Sequence, residues 1–371
     1  MRNTLICTVG TSLLNNLKFA EESIKQVFEA KNWNQLSLLL LEQPNSARIC
    51  GAEINSITSI CEKELLAARI RLIFLVSDTE DGKKTGELLK LYYNHSSNPL
   101  QFEKVDVRVL KGLRDDDVKA FKQQGLKNLV HEITTEVKKF SPEVIAINAT
   151  GGYKAQISFA GMIGQALGIP VYYLFEKFSE VIELPPQPVA LDLAFWLNNY
   201  ALFEHLESSQ TIEKSLVEHN LESEYFPSLI DEEVIDDVPY LTLSAMGVLF
   251  NERSRLQFAK QETSILSLIP KDETEPERKQ ISLRNDHGQD ILETFAKKIR
   301  RSPYVKKIIN SLPFNSALTN PIRRTFPDGI VELVLTWTDK GLGLCIQTTG
   351  RNIVETNTIA LHLKKEFFEG N

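Results

Sequence analysis

Along the first 180 residues, short β-rich apolar runs alternate with longer stretches of helical periodicity. The runs Thr4–Val9, Leu36–Leu41, Arg71–Val76, Val105–Leu110, Val144–Asn148 and Val171–Leu174 predict strands. Between them, Phe19–Ala30, Ser46–Ala68, Thr85–Tyr93, Gly125–Lys139 and Ala155–Leu167 predict helices. Alternation at this spacing predicts an α/β class, with a doubly wound parallel sheet covered by helices on both faces. Ligands of such sheets sit beyond the carboxyl ends of the strands.

The pattern then changes. Ala190–Glu207 reads as helix, and its crowded Leu191, Leu193, Phe195, Trp196 and Leu197 predict burial, with a second protomer as one candidate cover. Residues 204–237 are strongly acidic with a single lysine, Lys214, and a further helix is predicted over Ser244–Gln261. Pro270–Lys279 reads as a solvated linker. Asp290–Ser311 predicts a basic amphipathic helical region broken at Pro303. Three strands follow, Ile322–Pro327, Val331–Thr338 and Leu342–Thr348, with turns at Asp328-Gly329 and Asp339-Lys340-Gly341, and then a closing helix over Thr356–Phe367. The expected organisation is therefore a Rossmann-like domain over 1–185 and a helical, winged-helix-like connector over 186–270. A linker over 271–283 and a small α+β domain over 284–371 complete it.

Composition narrows the class. A chain of 371 residues suffices for two or three domains, and 42% hydrophobic with 25% charged residues is ordinary for a globular protein. No apolar run approaches the roughly 18 residues of a membrane helix, and no signal-peptide pattern precedes the first strand. Cys7, Cys50, Cys61 and Cys345 have neither metal-ligand nor disulfide spacing, so a reducing, cytoplasmic setting is expected. The net charge of −7 is uneven: residues 281–371 hold 13 Lys and Arg against 9 Asp and Glu, a local charge of +4. A basic tail on an acidic body points to a polyanionic partner for the tail.

Two turns carry the first candidate chemistry. Asn148-Ala149-Thr150-Gly151-Gly152-Tyr153-Lys154 ends a buried strand and opens a helix. Adjacent glycines let the backbone approach a ligand, the helix start offers amides to an anion, Thr150 adds a hydroxyl and Lys154 a charge. Cys7-Thr8-Val9-Gly10-Thr11-Ser12 repeats this logic after the first strand, and Ser77-Asp78-Thr79 is a candidate for the rim. One such turn is as readily a plain capped turn, whereas two at matching strand ends favour a nucleotide-phosphate pocket. Neither turn carries Gly-x-Gly-x-x-Gly or a Walker Gly-Lys-Ser/Thr.

Thr8–Ser12 with Asn148–Lys154 resembles the paired signature of CARF domains, the sensors of type III CRISPR systems, over roughly residues 1–180. The resemblance implies a homodimer that holds a two-fold symmetric cyclic oligoadenylate, expected to be cyclic tetra-adenylate, at an isologous interface. Thr8, Gly10, Thr11, Ser12, Ser77, Asn148, Thr150, Gly151, Gly152 and Lys154 are then the ligand-binding candidates. Some CARF domains also cut their ligand, for which Lys154 and Ser12 are the candidates here.

Proteins with such sensors carry effectors, and the tail excludes several. Arg284-Asn285-Asp286-His287 is too short for the Arg-to-His spacing of a HEPN ribonuclease, and Glu332-Leu333-Val334 lacks the lysine of a metal-dependent PD-(D/E)xK nuclease. The order of Arg323-Arg324, Glu332 and Gly350-Arg351-Asn352 on successive strands resembles the RelE-like messenger-RNA interferases, over roughly residues 285–368. That resemblance implies metal-free cleavage by the RNA's own 2′-oxygen on a translating ribosome, with no cofactor besides the activating oligoadenylate. Arg323, Arg324 and Arg351 would clamp the phosphate, since guanidinium matches phosphate bidentately. Glu332 and His287 would serve as base or acid, and Lys297, Lys298, Arg300 and Arg301 would track the RNA backbone. Glu332 stands about where an arginine is common, and no tyrosine follows Arg351. Adjacent Arg323 and Arg324 on a regular strand would face opposite sides. Two alternatives stand beside this reading: a ring nuclease whose tail stabilises the dimer, and a ligand-responsive DNA-binding regulator using residues 186–270, whose acidity opposes phosphate contact.

Overall fold

The computed structural model describes all residues except 1, 176–177, 188–190, 210, 218–222, 286–287, 315–319, 338–339 and 370–371. The chain forms two compact units. One comprises Met1–Ala190, Glu224–Asp231 and Ser244–Phe250; the other comprises Leu191–Ser223, Glu232–Leu243 and Asn251–Asn371.

The first unit begins with β1 (Thr4–Thr8), whose five residues are all buried. Four helices follow: α1 (Ser12–Leu17), α2 (Glu22–Glu29), α3 (Trp33–Leu41) and α4 (Gly51–Glu62). Next come β2 (Arg71–Ser77), α5 (Glu80–Asn94), β3 (Lys104–Leu110), α6 (Val118–Ala120) and α7 (Leu126–Phe140). β4 (Ile145–Asn148), α8 (Lys154–Leu167), β5 (Val171–Tyr173) and β6 (Ile182–Leu184) complete it. The sheet order is β3-β2-β1-β4-β5-β6, parallel throughout except for antiparallel β6. Buried on both faces, β1 and β2 read as continuous apolar runs, as parallel strands do. Leu5, Cys7, Phe74 and Val76 meet Leu36, Leu40, Ile54, Ile57, Leu88 and Tyr93 in one dry core. The strand order reverses between β1 and β4, so a crevice opens at their carboxyl ends.

Leu36–Leu41, predicted as a strand, lies in α3. Asn32 caps this helix by accepting from the Gln35 amide at 3.2 Å, and Leu36 and Leu40, one turn apart, are fully buried. A leucine run lacks the β-branched residues that distinguish a strand, and leucine is a strong helix former.

The second part of the chain contains α9 (Leu193–Asn198), α10 (Tyr200–Ser209), β7 (Ile212–Glu213), α11 (Phe226–Leu229), β8 (Ile230–Ile235), β9 (Val238–Leu243) and α12 (Ala245–Leu266). The three strands form a small sheet in the order β7-β9-β8. Asp236 and Asp237, with φ of 49° and 63°, supply the left-handed turn that joins β8 to β9. The crowded apolar residues after 190 are covered partly within the chain: Trp196 is fully buried and its indole N–H donates to Asn251 Oδ1 at 2.7 Å. Asn251 in turn donates to Glu207 at 2.6 Å, and Arg255 pairs with Glu204 and Glu207. These contacts fasten α9 and α10 to the Asn251–Arg255 turn of α12.

The C-terminal elements are α13 (Gln289–Ile299), β10 (Val305–Phe314), β11 (Ile322–Thr325), β12 (Ile330–Trp337), β13 (Lys340–Thr348) and α14 (Ile353–Lys364). Their sheet is antiparallel, in the order β10-β13-β12-β11. Val331, Leu333, Leu344, Ile346 and Ile308 are fully buried. One helix and four strands therefore replace the helical hairpin and three strands expected from the sequence. Past Pro303 the chain is strand, and register shifts after Val305 and Ile308 break its period of two. The exposed pair Lys306-Lys307 sits in the first shift, which hid the alternation.

The expected solvated linker is partly pinned. Lys279 is buried, and its ammonium donates to the carbonyls of Ser302 at 2.9 Å and Val305 at 2.6 Å, with Asp272 at 3.5 Å. Three oxygens satisfy one buried ammonium, which is the condition under which a lysine tolerates burial.

Trp196→Ala is expected to destabilise the second unit by about 3–5 kcal/mol, the cost of deleting a large buried aromatic. Trp196→Phe should cost less, about 1–3 kcal/mol, for the Asn251 carbonyl left unpaired. Urea midpoints check both, and a Trp196→Ala midpoint equal to wild type would contradict this packing.

Candidate ligand pocket and effector groove

The two glycine turns meet at the crevice between β1 and β4. Thr8 Oγ1 donates to the Gly151 carbonyl, and a Cβ on Gly10 would lie 2.8 Å from the Gly152 amide nitrogen. Glu53, on α4, sits between the turns. Its Oε1 accepts from the Gly10 amide at 2.8 Å, and a Cβ on Gly151 would strike the same oxygen. Only glycine fits where two backbones and a carboxylate converge this closely. Glu53 is 1% exposed, and its Oε2 has no hydrogen-bond partner. Burial pushes its carboxyl above the ordinary value of 4.5, opposed by the Gly10 amide.

Asn148 and Thr150 are spent on this frame. Asn148 donates to Ser56 Oγ at 2.8 Å and accepts from Thr150 Oγ1 at 2.6 Å, and Thr150 Oγ1 accepts from the Leu174 amide at 3.0 Å. Tyr153 and Gln156 form a capping box at the start of α8, with the fully buried Gln156 accepting from the Tyr153 amide at 3.3 Å. Gly152, with φ of 113°, makes the left-handed turn that joins frame to helix.

The crevice encloses about 310 Å³, lined by Val9, Gly10, Thr11, Ser77, Thr79, Glu80, Asp81, Asp115, Gly152 and Tyr153. Of the ten ligand-binding candidates, Gly10, Thr11, Ser77 and Gly152 line it, while Thr8, Asn148, Thr150 and Gly151 build its floor from behind. Lys154 is exposed in the first turn of α8 and is not among the lining residues; Ser12 opens α1 with a buried, unpaired Oγ. Asp115 and Glu53 escaped the sequence reading, whereas Thr79 and Tyr153 belong to the turns it singled out. Ser77 and Thr79 share a hydrogen bond of 2.8 Å, and Thr79 caps α5 by accepting from Gly82 at 3.0 Å. Burial, with Asp115 alongside, pushes the Tyr153 hydroxyl up. The lining therefore has two chemistries: glycine and threonine at the strand ends, and the carboxylates Glu80, Asp81 and Asp115 opposite. Amides and hydroxyls there suit phosphate oxygens, whereas the carboxylates suit ligand hydroxyls and amines.

In the C-terminal sheet, Glu332 stands opposite Arg324 in register, and its Oε2 lies 3.5 Å from Arg323 Nη1. A register shift between Ile322 and Arg324 changes the expected alternation. Both Arg323 and Arg324 line one groove of about 190 Å³ together with Tyr200, Glu204, His205 and Asn320. The expectation that only one of these arginines could face a given side is thus overturned by the bulge. Arg351 is engaged elsewhere: its guanidinium contacts Glu355 at 2.6 Å, holding that carboxyl below its usual range, and it does not line the groove. Asn352 caps α14 by accepting from the Glu355 amide at 2.9 Å. His287 lies outside the described residues. Lys297 and Lys298 are exposed in the last turn of α13, where cations favour the helix dipole, and Lys297 pairs with Glu293 at 2.7 Å. Arg301 is exposed and Arg300 half-buried. Among the described residues, no group of three or more His, Cys, Asp or Glu is arranged to hold a metal, and no helix is long and apolar enough to cross a membrane.

The fold defines a Rossmann-like unit with a crevice at the switch point of its sheet. Residues 48–187, which contain α4 through β6, match the CRISPR-associated protein family Cas_APE2256. This stretch contains Glu53, Ser77, Asp115 and the Asn148–Lys154 turn. Among solved structures, the chain is similar to Can2 from Sulfobacillus thermosulfidooxidans in complex with cyclic tetra-adenylate. That similarity is 12% identity over 72% of this chain and 67% of that one, with a TM-score of 0.23. It is also similar to protein VC1899 from Vibrio cholerae, at 10% identity over 82% and 87% of the two chains, with a TM-score of 0.24.

The raised Glu53 carboxyl gives a pH test. A group whose folded pKa is raised supplies its full stabilisation below its unfolded pKa and loses it as pH rises through the folded value. Glu53→Gln keeps a carbonyl for the Gly10 amide and removes that loss. Urea midpoints of the variant should therefore gain on wild type as pH rises from below 4.5 toward neutrality. Parallel midpoints across that range would show that ionising Glu53 costs the fold nothing.

Proposed function

We propose that the chain is a homodimeric CRISPR-associated effector that binds a cyclic oligoadenylate, cyclic tetra-adenylate in the first instance, and in response cleaves messenger RNA on translating ribosomes. The sensor is the CARF domain over 1–185. Residues 186–270 form the connector, 271–283 the linker, and 284–371 the RelE-like ribonuclease. The observation that carries the sensor reading is the meeting of Gly10 with Gly151-Gly152 at the switch point of the sheet, inside one crevice. The family match over 48–187 supports its CRISPR setting.

An oligoadenylate suits both chemistries of that crevice. Its phosphates face the amides of the glycine turns and the hydroxyl of Thr11, and its ribose hydroxyls and adenine amines face Asp115, Asp81 and Glu80. A two-fold ring takes one copy of this surface from each protomer. The ribonuclease reading is supported by Arg323 and Arg324 side by side, a pair suited to one phosphodiester. Cleavage by the RNA's own 2′-oxygen needs a base, an acid and cations, and no metal or bound cofactor.

Labelled cyclic tetra-adenylate and cyclic hexa-adenylate titrated into the full chain test the sensor. The tetramer should bind more tightly. Gly10→Val should abolish binding, and Lys154→Ala, removing one exposed cation, should weaken it by about tenfold at low salt. Unchanged affinity in both variants sinks the pocket. Messenger RNA on translating ribosomes, naked RNA and duplex DNA, each with and without the ring, test the output. Cleavage confined to ribosomes plus ring is expected; consumption of the ring without RNA cutting would favour a ring nuclease, and ring-dependent DNA retention a regulator.

A further inference from the structure

The geometry points to the groove between α10 and β11 as the site that grips and cuts RNA, with His205 as its proton-transfer group. This rests on the ribonuclease reading and assigns it residues that the strand order alone did not: the histidine lies on α10, far upstream of the basic tail.

The groove is built by a departure from regular strand geometry. β11 is an edge strand, so one side of it faces no neighbouring strand. At the register shift between Ile322 and Arg324, Arg324 stands opposite Glu332 and Arg323 reaches the same carboxylate, and both arginines border a cavity of about 190 Å³. Their fixation differs. Arg323 lies 3.5 Å from the buried Glu332 Oε2, close enough for the carboxylate to attract its guanidinium. Arg324 is exposed, at the open edge.

The facing wall is α10. Its one carboxylate in the lining, Glu204, is already engaged by Arg255, by Asn320 Nδ2 at 3.0 Å and by Lys364 at 4.0 Å. With Glu204 so engaged, Arg324, exposed at the open edge, is placed to meet an incoming anion. Burial pushes the Tyr200 hydroxyl up, so it stays a neutral donor at the base of the groove. His205 is exposed at its mouth, on the same helix face as Tyr200-Ala201 and Ser208-Ser209. A cavity of about 190 Å³ is on the scale of one phosphodiester, and the ribonuclease reading makes single-stranded RNA the ligand class.

The step balances without a further reactant. The His205 imidazole takes the proton from the 2′-hydroxyl, and the 2′-oxygen forms a bond to phosphorus. The bond from phosphorus to the 5′-oxygen breaks, and that oxygen takes a proton from solvent. Arg323 and Arg324 hold the two non-bridging oxygens, on which charge builds. The products are a 2′,3′-cyclic phosphate and a 5′-hydroxyl.

The test uses the full chain with cyclic tetra-adenylate, messenger RNA on translating ribosomes, and a naked labelled RNA. Binding is read separately with the same RNA carrying 2′-O-methyl groups, which cannot be cut by this route. His205→Gln should lower cleavage by about 100-fold or more while leaving binding of the methylated RNA within twofold of wild type. Arg324→Ala should weaken that binding and lower its salt slope by about one, with Arg324→Lys restoring the slope and not the cleavage rate. Thermal midpoints equal to wild type certify that each variant is folded. His205→Gln cleaving within threefold of wild type, or Arg324→Ala leaving the salt slope unchanged, overturns the assignment alone. A wild type that cleaves neither RNA overturns the ribonuclease reading and this role with it.

Discussion

Glu53 places one carboxylate oxygen on the Gly10 amide and against the Cα of Gly151, and the carboxyl end of the parallel sheet is arranged around that placement. The contact joins turns that are separated by about 140 residues of chain, at the point where the strand order reverses. Its cost is a fully buried acid with an unpaired oxygen. Such a group is expensive unless it stays protonated or gains a partner. Thr8, Asn148, Thr150 and Gln156 then complete the frame with hydrogen bonds of their own. The floor of the crevice is therefore rigid polar structure, and what remains for a ligand is the layer above it.

That layering separates two jobs within a short stretch of sequence. Asn148 and Thr150 face inward and hold β4 to α4 and to the end of β5, whereas Gly152 and Tyr153 face the cavity. The effector part divides labour in the same way. Glu332 lies beside Arg323, Glu355 holds Arg351, and Glu204 pairs with Arg255 and accepts from Asn320. Arg324, exposed at the sheet edge, is placed to meet an incoming partner.

The parallel sheet was legible because its strands are buried on both faces and its turns carry glycines at strand ends, a signal local in sequence. Glu53 was not. It is one acidic residue within α4, and only the folded chain reveals that it meets two turns. Leu36–Leu41 was misread because a leucine run has no period that separates strand from helix. Val305–Phe314 was misread for the opposite reason: its bulges destroy the period it should have. Arg323 and Glu332 could be paired from strand order, and the structure brings them to 3.5 Å. His205 carried no signal in sequence, since it belongs to a helix from an acidic stretch and acquires its setting through β11.

The bulge in β11 also fixes where the information for the arginine pair is stored. It resides in the number of residues between Ile322 and the partner position of Glu332, more than in which residues they are. Substitutions along β11 would leave the count intact and keep two neighbouring side chains on one side. Loss of a single residue would return the strand to strict alternation and send one guanidinium to the opposite face, with the composition of the tail almost unchanged. In that sense the groove is written in chain length, and two relatives with the same Arg-Arg dipeptide would differ in function if their strands differed by one residue.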